Sequence, residues 1–419
     1  MVTREQPREM AYWDAMLDRL ADSQIVPDPY PLYERLRKER PVAWWDLPRA
    51  WAVMRYADCK AILTDDETFQ ADRMSSILNV KFPGKQLPPD NIYFQFVRNT
   101  VMWTDPPLHS TLRRSVRPAF SGAAHACYEP LMKQAVDEVL REIEGNTEID
   151  GASAIADRLP HAVGVHVFGV PREDMDYVLA RTDEVNSFFA GPNPPPLELG
   201  QILDSLGELH TYSLELIQGK RGWVNERTIL WNCAQASRTA ECTPAQIVHQ
   251  VVLVLVAAFA RTTPGMLGHG LLLFAQNPDQ VDRLLASPDL EGSAVDEILR
   301  LHPSNQYTYR LANKDVELSH TPLEGGQVVI PFLAAANRDP EVFPDPDAFD
   351  IGRANARAHL TFGLGTHLCY GATVVRQEGK AFFGEFLRRY PKLALAGEPA
   401  WNRSLEFRTL KSLPLRLAG

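Results

Sequence analysis

Cysteine is scarce and scattered in this chain. The 419 residues hold five: Cys59, Cys127, Cys233, Cys242 and Cys369. The number is odd and no two stand in CxxC spacing. That argues against a disulfide framework or a zinc site and fits a reducing cytoplasm. A basic surplus is absent as well: 43 Lys and Arg stand against 53 Asp and Glu, a formal charge of −10. Such a balance argues against general affinity for nucleic acid. Residues 1–24 carry acids and bases throughout and no apolar segment. Neither a signal peptide nor a membrane anchor is expected there. The most apolar run, 251–259, is too short to cross a bilayer and predicts a buried helix. With 45% hydrophobic residues there is ample material for a large core, and length alone suggests two or three domains.

What is present is mostly helical patterning. Residues 29–37 predict a helix opened by proline. Residues 42–45 and 51–55 are β-rich pieces around Pro48 that predict a hairpin, and 57–63 a short helix. Residues 73–99, with Pro83, Gly84, Pro88 and Pro89, are aperiodic and predict a long irregular segment of the kind that often serves function. Asp105-Pro106-Pro107 opens a helix carrying His109, Arg113, Arg114 and Arg117. His109 and Arg113 share a face, either a solvated basic surface or an anion-binding pair. Further helices are predicted over 128–143, 153–168, 173–189 and 199–220, with a proline-rich break at 191–196. Thr243-Pro244 caps a long helix that runs to 275 and should be distorted by Pro264.

Near the C-terminus, Thr361-Phe362-Gly363-Leu364-Gly365-Thr366-His367-Leu368-Cys369-Tyr370-Gly371 is a glycine-punctuated loop running into a helical pattern at 372–389. Glycines let backbone approach a flat ligand closely. Backbone N–H groups and a helix N-terminus would favour a thiolate at Cys369. By itself the cysteine could equally be a buried structural one. Upstream, Glu297 and Arg300 meet on one helix face.

The pattern Phe362, Gly365, His367, Cys369, Gly371 resembles the haem-binding signature of the cytochrome P450 superfamily, with every defining position filled. The resemblance implies a mainly α fold with small β-sheets, one domain over 1–419, a cytoplasmic monomer, and haem b with Cys369 as the iron ligand. It implies His109, Arg113, Arg310 and His367 as propionate donors. It also implies a structural triad of Glu297, Arg300 and Arg353, and a lid at 191–196 over the substrate. No flavin or ferredoxin segment is visible, so electrons are expected from a separate ferredoxin and ferredoxin reductase. Arg114, Arg117 and Arg376 are expected to form its docking surface.

One departure is specific. Most family members carry an acid before threonine on the central helix, a pair that supplies protons for oxygen cleavage. Here Arg261 precedes Thr262, and Phe259 stands where a glycine is usual. Arginine does not deprotonate. Either Arg261 points away and water relays protons, or the site delivers protons poorly. The runs 81–92, 259–265, 304–306 and 405–408 resemble the aromatic-nitrating branch. That branch includes the tryptophan 4-nitrating enzyme of thaxtomin biosynthesis and a tyrosine-nitrating relative of the rufomycin pathway. The resemblance implies nitration with nitric oxide, from a separate source, and dioxygen, with Arg261 and Thr262 at the reacting centre. It implies Arg73, Asn305, Thr308 and Glu406 as holders of an amino acid's charged groups. Phe96, Met102, Trp103, Phe188, Phe189 and Phe407 are the expected walls. The altered walls leave tyrosine or tryptophan, free or tethered to a carrier or peptide, as the acceptor. Other readings are a conventional monooxygenase acting on a small aromatic or peptide substrate, a peroxygenase using Arg261 to hold a carboxylate, or a haem gas sensor.

Overall fold

The computed structural model describes residues 17–18, 28–72, 78, 81–82, 84–189, 197–221, 227–236, 242–404 and 406–418. Arg73 and the 191–196 break lie outside them.

The fold is mainly helical with small sheets. The largest sheet has five strands in the order Val42–Trp45, Ala50–Val53, Val328–Pro331, Arg310–Ala312, Phe69–Gln70. The first pair is the predicted hairpin, with Trp44 opposite Trp51. Alternation places Ala50, Ala52 and Ile330 on one face, under Tyr33 and Leu36 of helix Tyr30–Glu39. Val53, Val329 and Ala312 go to the other face, under Cys59, Ile62 and Leu63 of helix Tyr56–Thr64.

The main core is helical. Helix Thr262–Gln276 packs Met266, Leu267 and Phe274 against Ile298 of helix Glu291–Leu301 and Phe383 of helix Ala372–Arg389. The apolar run at 251–259 is, as expected, a buried helix, Pro244–Ala258, held at its start by a reciprocal Thr243–Gln246 cap. By length and composition the stretch Pro244–Gln276 could cross a membrane, but 67% of its apolar 18-residue window is buried inside the protein.

The distortion expected from Pro264 is present, and the other local details depart from expectation. The central helix breaks at 259–261, ahead of Pro264. Proline has no N–H for the carbonyl of residue 260 and its ring crowds that carbonyl, so the distortion falls one turn upstream. The helix expected over 153–168 is a π–α–π succession: Ala152–Ala156, Arg158–Val163, Gly164–Phe168. The irregular 73–99 segment contains a helix, Ile92–Arg98, whose Asn91 cap accepts from Tyr93 N at 2.9 Å. Helix Ile229–Ala236 was not expected.

Candidate active site

The Cys369 loop is shaped by its glycines. Gly365 sits at φ +65, and a Cβ there would lie 2.8 Å from Leu63 O, so only glycine lets the loop press against helix Tyr56–Thr64. Cys369 N donates to Phe362 O at 2.9 Å, closing the loop upon itself just before helix Ala372–Arg389. Cys369 has accessible surface, but it opens into an internal cavity and not onto bulk water. Burial therefore pushes its thiol up, against the N–H groups of Gly371 and Ala372 and the Arg113 and Arg376 cations. The thiolate-favouring donors expected from the sequence are present but outweighed. A metal cation at the sulfur is what would hold the thiolate.

The expected triad is assembled behind this loop. Glu297 is fully buried and accepts Arg300 Nε at 2.7 Å, Arg300 Nη2 at 2.9 Å, Arg353 Nε at 3.0 Å and Asp350 N at 3.1 Å. Arg300 Nη1 donates onward to Asn337 O at 3.0 Å. Asn337, which the sequence did not single out, is the bridge to the loop. Its Nδ2 donates to Thr361 Oγ1 at 2.9 Å, and its Oδ1 accepts Leu360 N at 2.7 Å.

The cavity encloses about 440 Å³ and runs from Cys369 to Glu406. At one end His109, Arg113, Arg310 and His367 all border it. Among the described residues both ring nitrogens of His109 are buried without a hydrogen-bond partner, His367 Nε2 has only the Asp105 carboxylate at 3.6 Å, and the two rings stand 4.5 Å apart. Burial, reinforced by His367 and Arg113, pushes His109 down to about 4. Arg310 is buried and donates Nη1 to Tyr309 O. Buried donors that border the same cavity as the cysteine, some of them without a partner among the described residues, fit a haem whose propionates take those donors. Arg113 does double duty, since its Nη1 also donates to Thr366 O and Leu368 O at 2.9 and 3.0 Å.

Arg261 is a correction. Its side chain is 52% exposed, lies 3.6 Å from Asp183 Oδ2, and does not border the cavity. The helix break rotates it outward, so it is not at the reacting centre. Beside Thr262, which does line the cavity, the chain offers Phe259 and Ala260. The peroxygenase reading needs Arg261 inside and loses its support. Ser304 Oγ donates to Thr262 O at 2.6 Å, and a Cβ at Gly265 would collide with Ser304.

At the far end Asn305, Thr308, Glu406 and Phe407 converge. Asn305 and Phe407 form a β-bridge, flanked by Gln306 N to Glu406 O at 2.9 Å and Arg408 N to Ser304 O at 2.8 Å. Asn305 Oδ1 is buried without a partner. Trp103 stacks on Phe189 at 4.9 Å, and both line the cavity with Met102. Phe96 and Phe188 do not line it. They back the wall, Phe96 against Trp103 at 5.3 Å and Phe188 against Phe189 at 4.9 Å. Arg376, expected on a docking surface, instead donates Nε to Asp296 at 2.7 Å and covers the Phe362 ring.

Two charged cavity residues escaped the sequence reading. Lys81 is 5% exposed, with Nζ lacking a hydrogen-bond partner. Burial pushes its ammonium down to about 8, while Glu406 pulls it up. Glu378 is buried, with Oε1 unpartnered, and burial pushes it up to about 8. Lys81 hid in an aperiodic stretch. Glu378 looked like one more charge on an exposed helix face.

Comparisons with known proteins agree with this geometry. The family model described as Cytochrome P450 matches residues 292–404. Cytochrome P450 monooxygenase PikC of Streptomyces venezuelae is 31% identical over 93% of this chain and 91% of its own. Putative cytochrome P450 126 of Mycobacterium tuberculosis is 30% identical over 96% of each. The crystal structure of CalO2 superposes with a TM-score of 0.83 at 28% identity, covering 95% of this chain and 98% of that one. P450BioI, in complex with a hexadec-9Z-enoic acid ligated acyl carrier protein, gives 0.80 at 26% over 93% and 99%.

Proposed function

This chain belongs to the cytochrome P450 family, and from that premise we propose that it is a haem-thiolate oxidoreductase of secondary metabolism that nitrates an aromatic amino acid, tyrosine or tryptophan, using nitric oxide and dioxygen. Cys369 is the iron ligand, and His109, Arg113, Arg310 and His367 hold the propionates. When bound, haem b supplies the redox iron at which dioxygen is reduced. Electrons come from a ferredoxin and its reductase.

The observation that carries the reading is the far end of the cavity. There Glu406, Asn305 and Thr308 stand beside the aromatic surfaces of Trp103, Phe189 and Phe407. A carboxylate buried to 7% exposure with amide and hydroxyl neighbours suits an ammonium, and the rings suit an aromatic side chain. The position before Thr262 gives the cavity no carboxylate, because it is an arginine, and that arginine also turns away. Thr262 can orient a proton-carrying water but has no acid at its shoulder, a poor arrangement for supplying two protons. The outward Arg261 also favours a second reading, a conventional monooxygenase in which water serves Thr262. The relatives include a monooxygenase by name, and one neighbour takes a carrier-bound acyl chain.

The test supplies ferredoxin, reductase and dioxygen with free tyrosine, free tryptophan or their carrier-bound forms, with and without nitric oxide. Nitrated product formed only with nitric oxide supports nitration. Efficient hydroxylated product without it supports the monooxygenase reading and rejects nitration.

A further inference from the structure

Lys81 carries an observation that the reading above leaves unused. Its side chain is nearly enclosed and borders the cavity, and among the described residues its Nζ has no hydrogen-bond partner. The nearest compensation is the Phe188 ring, 5.6 Å from Nζ to its centroid, and the field of Glu406. A buried ammonium without direct hydrogen bonds is costly, so a site that keeps one is built for a group that arrives with a ligand. Lys81 and Glu406 border one cavity with opposite charge.

We propose that Lys81 is the anchor for the α-carboxylate of a free amino acid in this cavity, with Glu406 receiving the ammonium. The proposal rests on the amino-acid reading of the site and deepens it. It selects the free acid over a carrier-tethered one, because a thioester has no carboxylate to offer. Arg73, the residue that resemblance assigned to this role, lies outside the described residues. Lys81 has the burial and, among the described residues, the missing hydrogen-bond partner that such a role requires.

The experiment is a binding cycle on the haem-loaded protein, read by Soret shift and by calorimetry. The ligands are L-tyrosine, L-tryptophan and their primary amides, which keep shape and ammonium but lose the anion. Wild type should prefer acid over amide by roughly 10–100-fold, the worth of a charged hydrogen bond in a buried site. In Lys81→Met the acid should weaken to the level of the amide while the amide binds as before. Lys81→Arg should keep most of the preference. Equal binding of acid and amide by wild type overturns the role of Lys81 and leaves the amino-acid reading standing. An intact preference in Lys81→Met assigns the carboxylate elsewhere and overturns it too, as does equal weakening of acid and amide, which marks Lys81 as structural. If wild type binds none of the four, the amino-acid reading falls and this proposal falls with it.

Discussion

Glu378 should make the protein less stable as pH rises, and Glu378→Gln should remove that dependence. The carboxyl is buried on helix Ala372–Arg389, with Oε1 unpartnered, and its pKa is pushed from 4.5 to about 8 by burial. Its folded form holds a proton that the unfolded chain releases near 4.5. Between those values the folded state binds more protons than the unfolded state, so stability falls with rising pH. Below about pH 4.5 the group costs nothing, and above about pH 8 the whole cost is present. At 1.36 kcal/mol per pH unit the gap between 4.5 and about 8 amounts to about 5 kcal/mol, an upper bound since local relaxation admits water. Glutamine has nearly the same shape and no charge at any pH. The assay is urea unfolding of the haem-loaded protein at several pH values from about 5 to about 9, followed by far-ultraviolet dichroism and the Soret band. The variant should lie within about 1–2 kcal/mol of wild type at the acid end and exceed it by several kcal/mol at the alkaline end. A difference that stays constant across the range would refute the reasoning, because it would mean that Glu378 is not held neutral.

Asn337→Ala removes the two side-chain bonds to Leu360 and Thr361 and leaves a buried N–H unpaired. A loss of about 2–4 kcal/mol is expected, seen as a lower thermal midpoint of the Soret band and weaker haem retention. Arg261→Glu should leave the ratio of product to reductant unchanged, since the side chain is outside the cavity; a changed ratio would show that it reaches the reacting centre. Its stability cost should stay below about 1 kcal/mol, because the Asp183 pair is exposed. The double change Arg114→Glu and Arg117→Glu, on two exposed arginines, should slow reduction by ferredoxin, with the deficit shrinking as salt rises. Stopped-flow reduction rates that match wild type at low salt would remove that surface from the docking argument.

The Cys369 loop was legible because its chemistry fixes its residues. A close approach at Gly365 and a closing bond at Cys369 leave few alternatives, and Glu297 and Arg300 stood at a readable spacing, whereas Arg353 came only from the resemblance. Side-chain direction was not legible where the backbone departs from a regular period. A distortion by Pro264 was legible, but not which way it would turn Arg261; the break at 259–261 leaves it facing solvent. Phe96 and Phe188 were right as apolar residues near the pocket but wrong as its lining, because a wall two rings thick has the same composition as one. Lys81 could not be placed at all from pattern, since its neighbours have no periodicity to assign it a face. Glu378 had a period, but a charge on a helix is ordinarily solvated, and only packing shows this one enclosed.

The clip formed by 304–306 and 406–408 bears on how such an enzyme can be altered. It presents Asn305, Glu406 and Phe407 to the ligand, and the same clip is bolted to the central helix through Ser304 and the bare backbone at Gly265. Retargeting the pocket by transplanting this clip from a relative would therefore import a new seat for Thr262 as well. A graft that keeps serine at 304 and glycine at 265 should change which molecule is accepted and preserve how it is processed. One that replaces either would change both together, and the two effects could no longer be tuned apart.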